Sequence, residues 1–171
     1  KDKNGNPAGY NVELLKAIAR ETDMNIELQL DLWSNIRKGL ETGNIDAINV
    51  LYSHRRDKFF DMTPAHTNIS YVIATRKGKK LPENLQKLKG KKILVQKGDI
   101  MHDHAINLGF SEELVFVDSQ EEALNQLHEG NYDYSLTSRI LSNYYIDKNQ
   151  WNNLKLSQES IYSADYCIGV K

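Results

Sequence analysis

The alternation of strand and helix signals along this 171-residue chain predicts an α/β fold. Three observations carry the prediction. Apolar residues recur at helical spacing in some segments and in short β-rich runs between them. Gly and Pro separate those segments. Finally, 40% of the residues are apolar or aromatic, enough for a packed core.

Taken in order, residues 11–22 place Val12, Leu15, Ile18 and Ala19 on one helical stripe. Residues 26–30 alternate apolar and polar, as a strand does. Residues 32–41 read as a second helix, stopped by Gly43. Residues 45–51 form a short buried strand, followed by a charged helix over Ser53-His54-Arg55-Arg56-Asp57-Lys58. Residues 71–74 are again strand-like. Between Arg76 and Lys92, eight basic residues accompany one acidic residue, with Gly78, Pro82 and Gly90 as breakers, which reads as a solvated linker face. A second alternation follows: strand 92–96, helix from Asp99, strand 114–117, and a helix opening at Ser119, which has capping-box spacing to Glu122. Residues 133–136 read as strand, 138–148 as helix and 162–170 as extended. The chain thus divides into two α/β halves joined near residues 75–80. Each half is expected to hold its own sheet, with extended crossovers near residues 74–78 and 165–169.

Composition excludes several function classes. Lys plus Arg number 22 against 23 Asp plus Glu, a net charge of −1, so the basic excess of a general nucleic-acid binder is missing. No stretch approaches the ~18 apolar residues of a membrane span. The single cysteine, Cys167, rules out an internal disulfide framework and a cysteine-based structural zinc site. The opening Lys1-Asp2-Lys3-Asn4-Gly5 is no signal peptide and reads as the middle of a longer chain.

Catalytic motifs are lacking: there is no Gly-x-Ser-x-Gly elbow, HExxH pair, Walker loop or dinucleotide fingerprint, and no cofactor is expected. His102 and His104 are two apart on a helix and point about 200° from each other, too divergent to share a metal. Asn68-Ile69-Ser70 has a glycosylation pattern but falls within a strand. Gln96-Lys97-Gly98-Asp99 joins a strand to a helix, which makes it either an anion site of free amides or an ordinary turn. Trp33, at a helix start, is either core or a ligand platform. More telling is the segment after Leu51. A buried strand delivers its carboxyl end beside Arg55 and Arg56, at the edge where open α/β sheets bind ligands, and arginine suits forked recognition of carboxylate.

Several runs in consistent order resemble the family 3 extracellular solute-binding proteins, with the type II periplasmic-binding or Venus-flytrap fold. They are Gly5-Asn6-Pro7-Ala8-Gly9-Tyr10-Asn11-Val12-Glu13-Leu14, Trp33 with Gly43-Asn44-Ile45-Asp46-Ala47-Ile48, Ser53-His54-Arg55-Arg56, Phe60-Asp61-Met62-Thr63-Pro64, Leu88-Lys89-Gly90-Lys91-Lys92-Ile93-Leu94-Val95 and Gly130-Asn131-Tyr132-Asp133. Val95 to Asp103 and Asp165 to Val170 look like the flytrap sensor domains of membrane-bound histidine kinases or diguanylate cyclases. The resemblance implies a two-lobe fold trimmed at both termini. Lobe 1 would span residues 1–74 without its usual first strand, lobe 2 residues 75–167, and residues 168–171 would return to lobe 1.

The same resemblance places Arg56 at the family's carboxylate-binding arginine and Trp33 at an aromatic that packs on the ligand. Asn49, Val50 and Leu51 fall where backbone groups meet ligand, and Gln96, Asp99 and Ile100 on the lobe 2 loop. Two departures stand out: Asp99 replaces a Thr or Ser, and Ser138 replaces the acidic partner of a ligand ammonium. The implied function is an extracytoplasmic sensor domain of a membrane-anchored parent, closing on a small anionic or amino-acid-like solute. Its alternative is a transporter's solute-binding protein. A cyclohexadienyl-dehydratase-like enzyme would need His66 or Asp99 as an acid or base, and neither has an evident partner in the sequence.

Overall fold

The computed structural model describes residues 3–171, so the first two residues of the expected lobe 1 lie outside the description. Helix α1 (Tyr10–Thr22) buries Val12, and helix α2 (Trp33–Thr42) buries Leu40 completely. Helix α2 ends where the sequence indicated. Gly43 takes a left-handed φ of 79° and returns its N–H to the Leu40 carbonyl.

Strand β1 (Ala47–Leu51) leads through a single 3-10 turn at Arg56–Lys58 into β2 (Asp61–Met62) and the ten-residue β3 (Thr67–Arg76). The charged helix expected over residues 53–58 is only that one turn. A second 3-10 turn (Leu85–Leu88) buries Leu85 and Leu88 before β4 (Ile93–Gln96). Then come α3 (Ile100–Asn107), β5 (Leu114–Val117), α4 (Gln120–Glu129), β6 (Tyr134–Ser138), α5 (Arg139–Lys148), β7 (Leu154–Leu156) and β8 (Tyr162–Val170). The cap of α4 forms as expected on one side, Ser119 Oγ accepting from Glu122 N at 3.1 Å. On the other, Glu122 reaches back to the amide of Asp118 rather than that of Ser119.

The expectation of two separate sheets is corrected. The main path runs β1-β8-β3-β6-β4-β5, with β2 added on β8 and β7 on β3. Continuity comes from two long antiparallel strands that serve both halves. β8 pairs with β1 through Tyr166–Val170 and with β3 through Tyr162–Tyr166. β3 changes partner from β8 to β6 at Tyr71, earlier than the crossover expected at residues 74–78.

Residues 26–30 form no strand. Ile26 and Leu28 keep the expected alternation as half-buried positions between exposed neighbours, but no ladder forms along the segment. Side-chain alternation alone does not make a strand; its amides and carbonyls need a paired neighbour. β7 was not read in the sequence, being only three residues long.

Three apolar clusters fill the fold. The largest packs Ile73, Ile93, Met101, Phe110 and Leu136 between the sheet and α3. A second sets Leu94, Leu124, Leu127 and Trp151 under α4 and α5. A small third cluster joins Leu40 of α2 to Ile48, Val50 and Phe60. Leu136, 1% exposed on a central strand, is expected to lose about 2–5 kcal/mol of stability on Leu136→Ala. Urea unfolding checks this, and an unchanged midpoint would place Leu136 outside the packed core.

Candidate functional site

Arg56 is the organising residue. The 3-10 turn that follows β1 carries it inward, and its side chain is buried at 3% exposure. A buried guanidinium needs acceptors, and two carbonyls supply them. Nη1 donates to Leu51 O at 3.1 Å in its own half, and Nη2 to Gly98 O at 3.0 Å in the β4–α3 turn of the other. Nε is buried without a partner. Burial pulls the guanidinium below its ordinary pKa, and Asp99 and Asp103 act in the opposite direction.

Trp33, at the start of α2, meets the same carbonyl: its Nε1 donates to Gly98 O at 2.9 Å. The Arg56 Cζ lies 5.4 Å from the Trp33 ring centroid. One carbonyl thus accepts from two side chains across the boundary between the halves. Gly98 supports this with a left-handed φ of 74°, a conformation that a side chain would strain. Beside this contact Arg55 Nη1 meets Asp103 at 2.8 Å, again across the halves. With Arg55 67% exposed, this pair is worth about 0.2–1 kcal/mol. A cavity of about 360 Å³ adjoins it, lined by residues including Tyr52, Arg55, Ile100, Asp103 and Tyr162.

Asp99 is buried and caps α3. Its Oδ1 accepts from Ile100 N at 2.6 Å, Tyr71 Oη lies 2.9 and 3.0 Å from the two carboxylate oxygens, and Gln120 Nε2 donates to Oδ2 at 3.0 Å. Gln120 Oε1 in turn accepts from Thr137 Oγ1 and Ser138 N, both at 2.8 Å. Burial raises the Asp99 pKa, and the bonds from Tyr71, Ile100 and Gln120 together with Arg56 oppose the rise. Tyr71 is pushed well up, first by burial and then by the Asp99 charge.

The turn at residues 97–100 has no amide to spare. Lys97 N donates to Val117 O, Gly98 N to His102 Nδ1, Asp99 N to Gln96 O and Ile100 N to Asp99 itself. Of the two readings left open for this loop, the internally satisfied turn is the one found.

The sequence-derived residues therefore separate into groups. Trp33, Arg56 and the Leu51 carbonyl come together with Gly98. Asp99 and Ser138 meet through Gln120. Val50 and Ile100 are core side chains. Asn49 has a buried side-chain oxygen without a partner, and the Gln96 side chain turns away to Asp118 O. His66 contacts Tyr10 and Tyr166 and makes no hydrogen bond to Asp99 among the described residues. The rings of His102 and Phe116, and of His104 and Tyr162, meet in tilted contacts, so each histidine has its own neighbour. Sequence reasoning missed Tyr71, Gln120 and the Gly98 carbonyl. An aromatic in a buried strand reads as core, and a backbone carbonyl carries no signal of its own.

This arrangement, with two halves sharing long strands and a polar contact at their junction, defines the periplasmic-binding class of fold. A histidine kinase sensor domain with similarity to periplasmic binding proteins superposes at TM-score 0.96, with 33% identity over 99% of this chain and 75% of that one. An ancestral arginine-binding protein bound to arginine gives 0.91 at 26% identity, over 100% of this chain and 77% of that one. The family model of bacterial extracellular solute-binding proteins, family 3, matches residues 1–133, and the chain belongs to that family. Among curated proteins, membrane-bound lytic murein transglycosylase F of Actinobacillus succinogenes is 32% identical over 148 residues, 81% of this chain. The chain spans only 31% of that relative's length.

The raised pKa of Asp99 has a definite sign in stability. The folded state holds that proton more tightly than the unfolded chain, so the group's contribution is fullest below its ordinary value of 3.8 and declines as pH rises through the folded value. Asp99→Asn is expected to remove this component. Melting temperatures of both proteins over a pH series check it: the wild type should lose stability relative to the variant as pH rises from the acid end. A constant difference would contradict the assignment.

Proposed function

We propose that this chain is an extracytoplasmic sensor domain that closes on a small solute between two lobes, without catalysis of its own. Lobe 1 would comprise residues 1–74 and 168–171, and lobe 2 residues 75–167. The observation that carries the reading is the Gly98 carbonyl, which accepts from Trp33 and Arg56 across the junction. A solute bearing acceptor atoms competes for these same donors. Closure then follows from its higher affinity for the closed arrangement.

In this reading Arg56 binds an anionic or strongly accepting group of the solute and Trp33 covers its apolar part. Backbone groups of Asn49, Val50 and Leu51 would meet the solute on the lobe 1 side, and the loop carrying Gln96, Asp99 and Ile100, together with Ser138, would lie on the lobe 2 side. Asp99 already caps α3 with its own carboxylate, so a ligand carboxylate here relies on Arg56 rather than on the helix amide. The arginine-bound neighbour supports an amino-acid-like solute.

The histidine kinase sensor domain, matched over nearly the whole chain, supports a sensor in a membrane-anchored signalling protein. The amino-acid-binding neighbour equally supports a transporter's binding protein. The transglycosylase relative carries a matching segment within an enzyme chain. Sequencing the parent gene downstream of residue 171 separates these readings: a transmembrane helix with a kinase or cyclase domain supports the sensor, and a stop codon soon after the lobe ends supports the transporter.

A screen of amino acids and small carboxylates by thermal shift tests the binding itself. A true ligand at 100 times its Kd is expected to add about 2.7 kcal/mol of stability. Arg56→Ala should remove most of that shift, since truncating one partner of a buried charged contact costs about 2–5 kcal/mol. A hit that stabilises both proteins equally would show that Arg56 does not contact the solute.

A further inference from the structure

Charge is unevenly distributed along the sequence of this chain. Residues 76–92 hold eight basic side chains and one acidic one, Glu83, leaving 14 basic against 22 acidic residues on the rest. The segment presents the solvated face expected of it but is no free linker: Pro82, Leu85 and Leu88 are buried, with a 3-10 turn at Leu85–Leu88. All seven of its lysines are exposed.

Several of these cations converge around Tyr134. Lys91 Nζ lies 5.8 Å from its ring centroid, and its hydroxyl donates to Lys80 O. A cavity of about 510 Å³ opens there, with Arg76, Lys79, Lys91 and Lys92 in its lining. Asp133 is the one carboxylate in that lining, and Arg76 and Lys79 already share it. Arg76 is further committed to the carbonyls of Leu127 and Tyr132. Lys77, Lys80, Lys87, Lys91 and Lys92 make no ion pair among the described residues.

We propose that this face docks the protein on a surface of anionic phospholipid headgroups. Exposed, hydrated lysines on a fixed scaffold suit an extended array of negative charges, because each adds attraction without being stripped of water. A buried site for one small anion would instead need convergent, desolvated donors. The acidic remainder of the chain is repelled by the same surface, so the charge distribution orients the molecule as well as attracting it. The membrane-anchored parent proposed above brings such a surface within reach. The docking itself is a separate property, since it uses the Arg76 end of β3 and leaves Arg56 and Trp33 free.

Co-sedimentation of the purified chain with vesicles tests it. Binding is expected to phosphatidylcholine vesicles containing phosphatidylglycerol and not to pure phosphatidylcholine, and to weaken as salt shortens the Debye length. Lys80→Glu, Lys91→Glu and Lys92→Glu combined should weaken it by at least about tenfold, with circular dichroism confirming a folded variant. Lys38→Glu with Lys58→Glu, distant from this face in the sequence and outside its cavity, should reduce it far less. Equal binding to neutral vesicles, an unaffected triple variant, or an equal loss in the Lys38 and Lys58 variant would each overturn the proposal. So would displacement by glycerol phosphate at constant ionic strength, which would make the cavity a site for a free phosphate group. Solute-induced thermal shifts need no vesicles, so either reading can fail without the other.

Discussion

A guanidinium taken out of water must find acceptors, and Arg56 imposes that demand on the structure around it. At 3% exposure it reaches one carbonyl on each side of the junction, Leu51 O and Gly98 O. The demand determines how the β4–α3 turn must present itself. The Gly98 carbonyl has to face the opposite half, and a left-handed glycine provides the turn that delivers it. Trp33 then uses the same acceptor, so α2 and the 3-10 turn after β1 are both held to the β4–α3 turn by one oxygen.

A second buried ionisable group lies close to the first. Asp99 sits next in sequence to Gly98 and is satisfied by Tyr71, Ile100 N and Gln120. Tyr71 is also the residue at which β3 changes partner, paired with Tyr162 of β8 and with Ser138 of β6. The side chain that holds the carboxylate is therefore planted where the sheet passes from one half to the other. Gln120 extends the network to Ser138, so the turns preceding α3 and α5 share one hydrogen-bonded chain. A buried network of this kind is costly to leave half-made, which ties the two turns to a single arrangement.

Much of the fold was legible in the sequence, and for identifiable reasons. The stripe of Val12, Leu15 and Ile18, the stop at Gly43 and the cap at Ser119 are local signals, and α1, α2 and α4 form at or within a residue or two of the expected places. Residues 26–30 carry an equally clear local signal, yet no strand forms, because a strand depends on a neighbour the signal cannot specify. The joined sheet escaped for the same reason: nothing in residues 67–76 or 162–170 says that each strand serves two partners.

At the candidate site the sequence by itself determined which groups are available. Arg56 follows the carboxyl end of a buried strand, Trp33 opens a helix, and Asp99 stands where it can cap the next one. Only the tertiary structure decided what those groups do to each other. Trp33 and Gly98 are 65 residues apart, Arg56 and Gly98 42, and Tyr71 and Asp99 28, and their bonds arise because the shared strands β3 and β8 bring the two halves together. Capping and periodicity act within a few residues and can be read along the chain, whereas the acceptor for a buried charge is chosen by what folding leaves within about 3 Å of it.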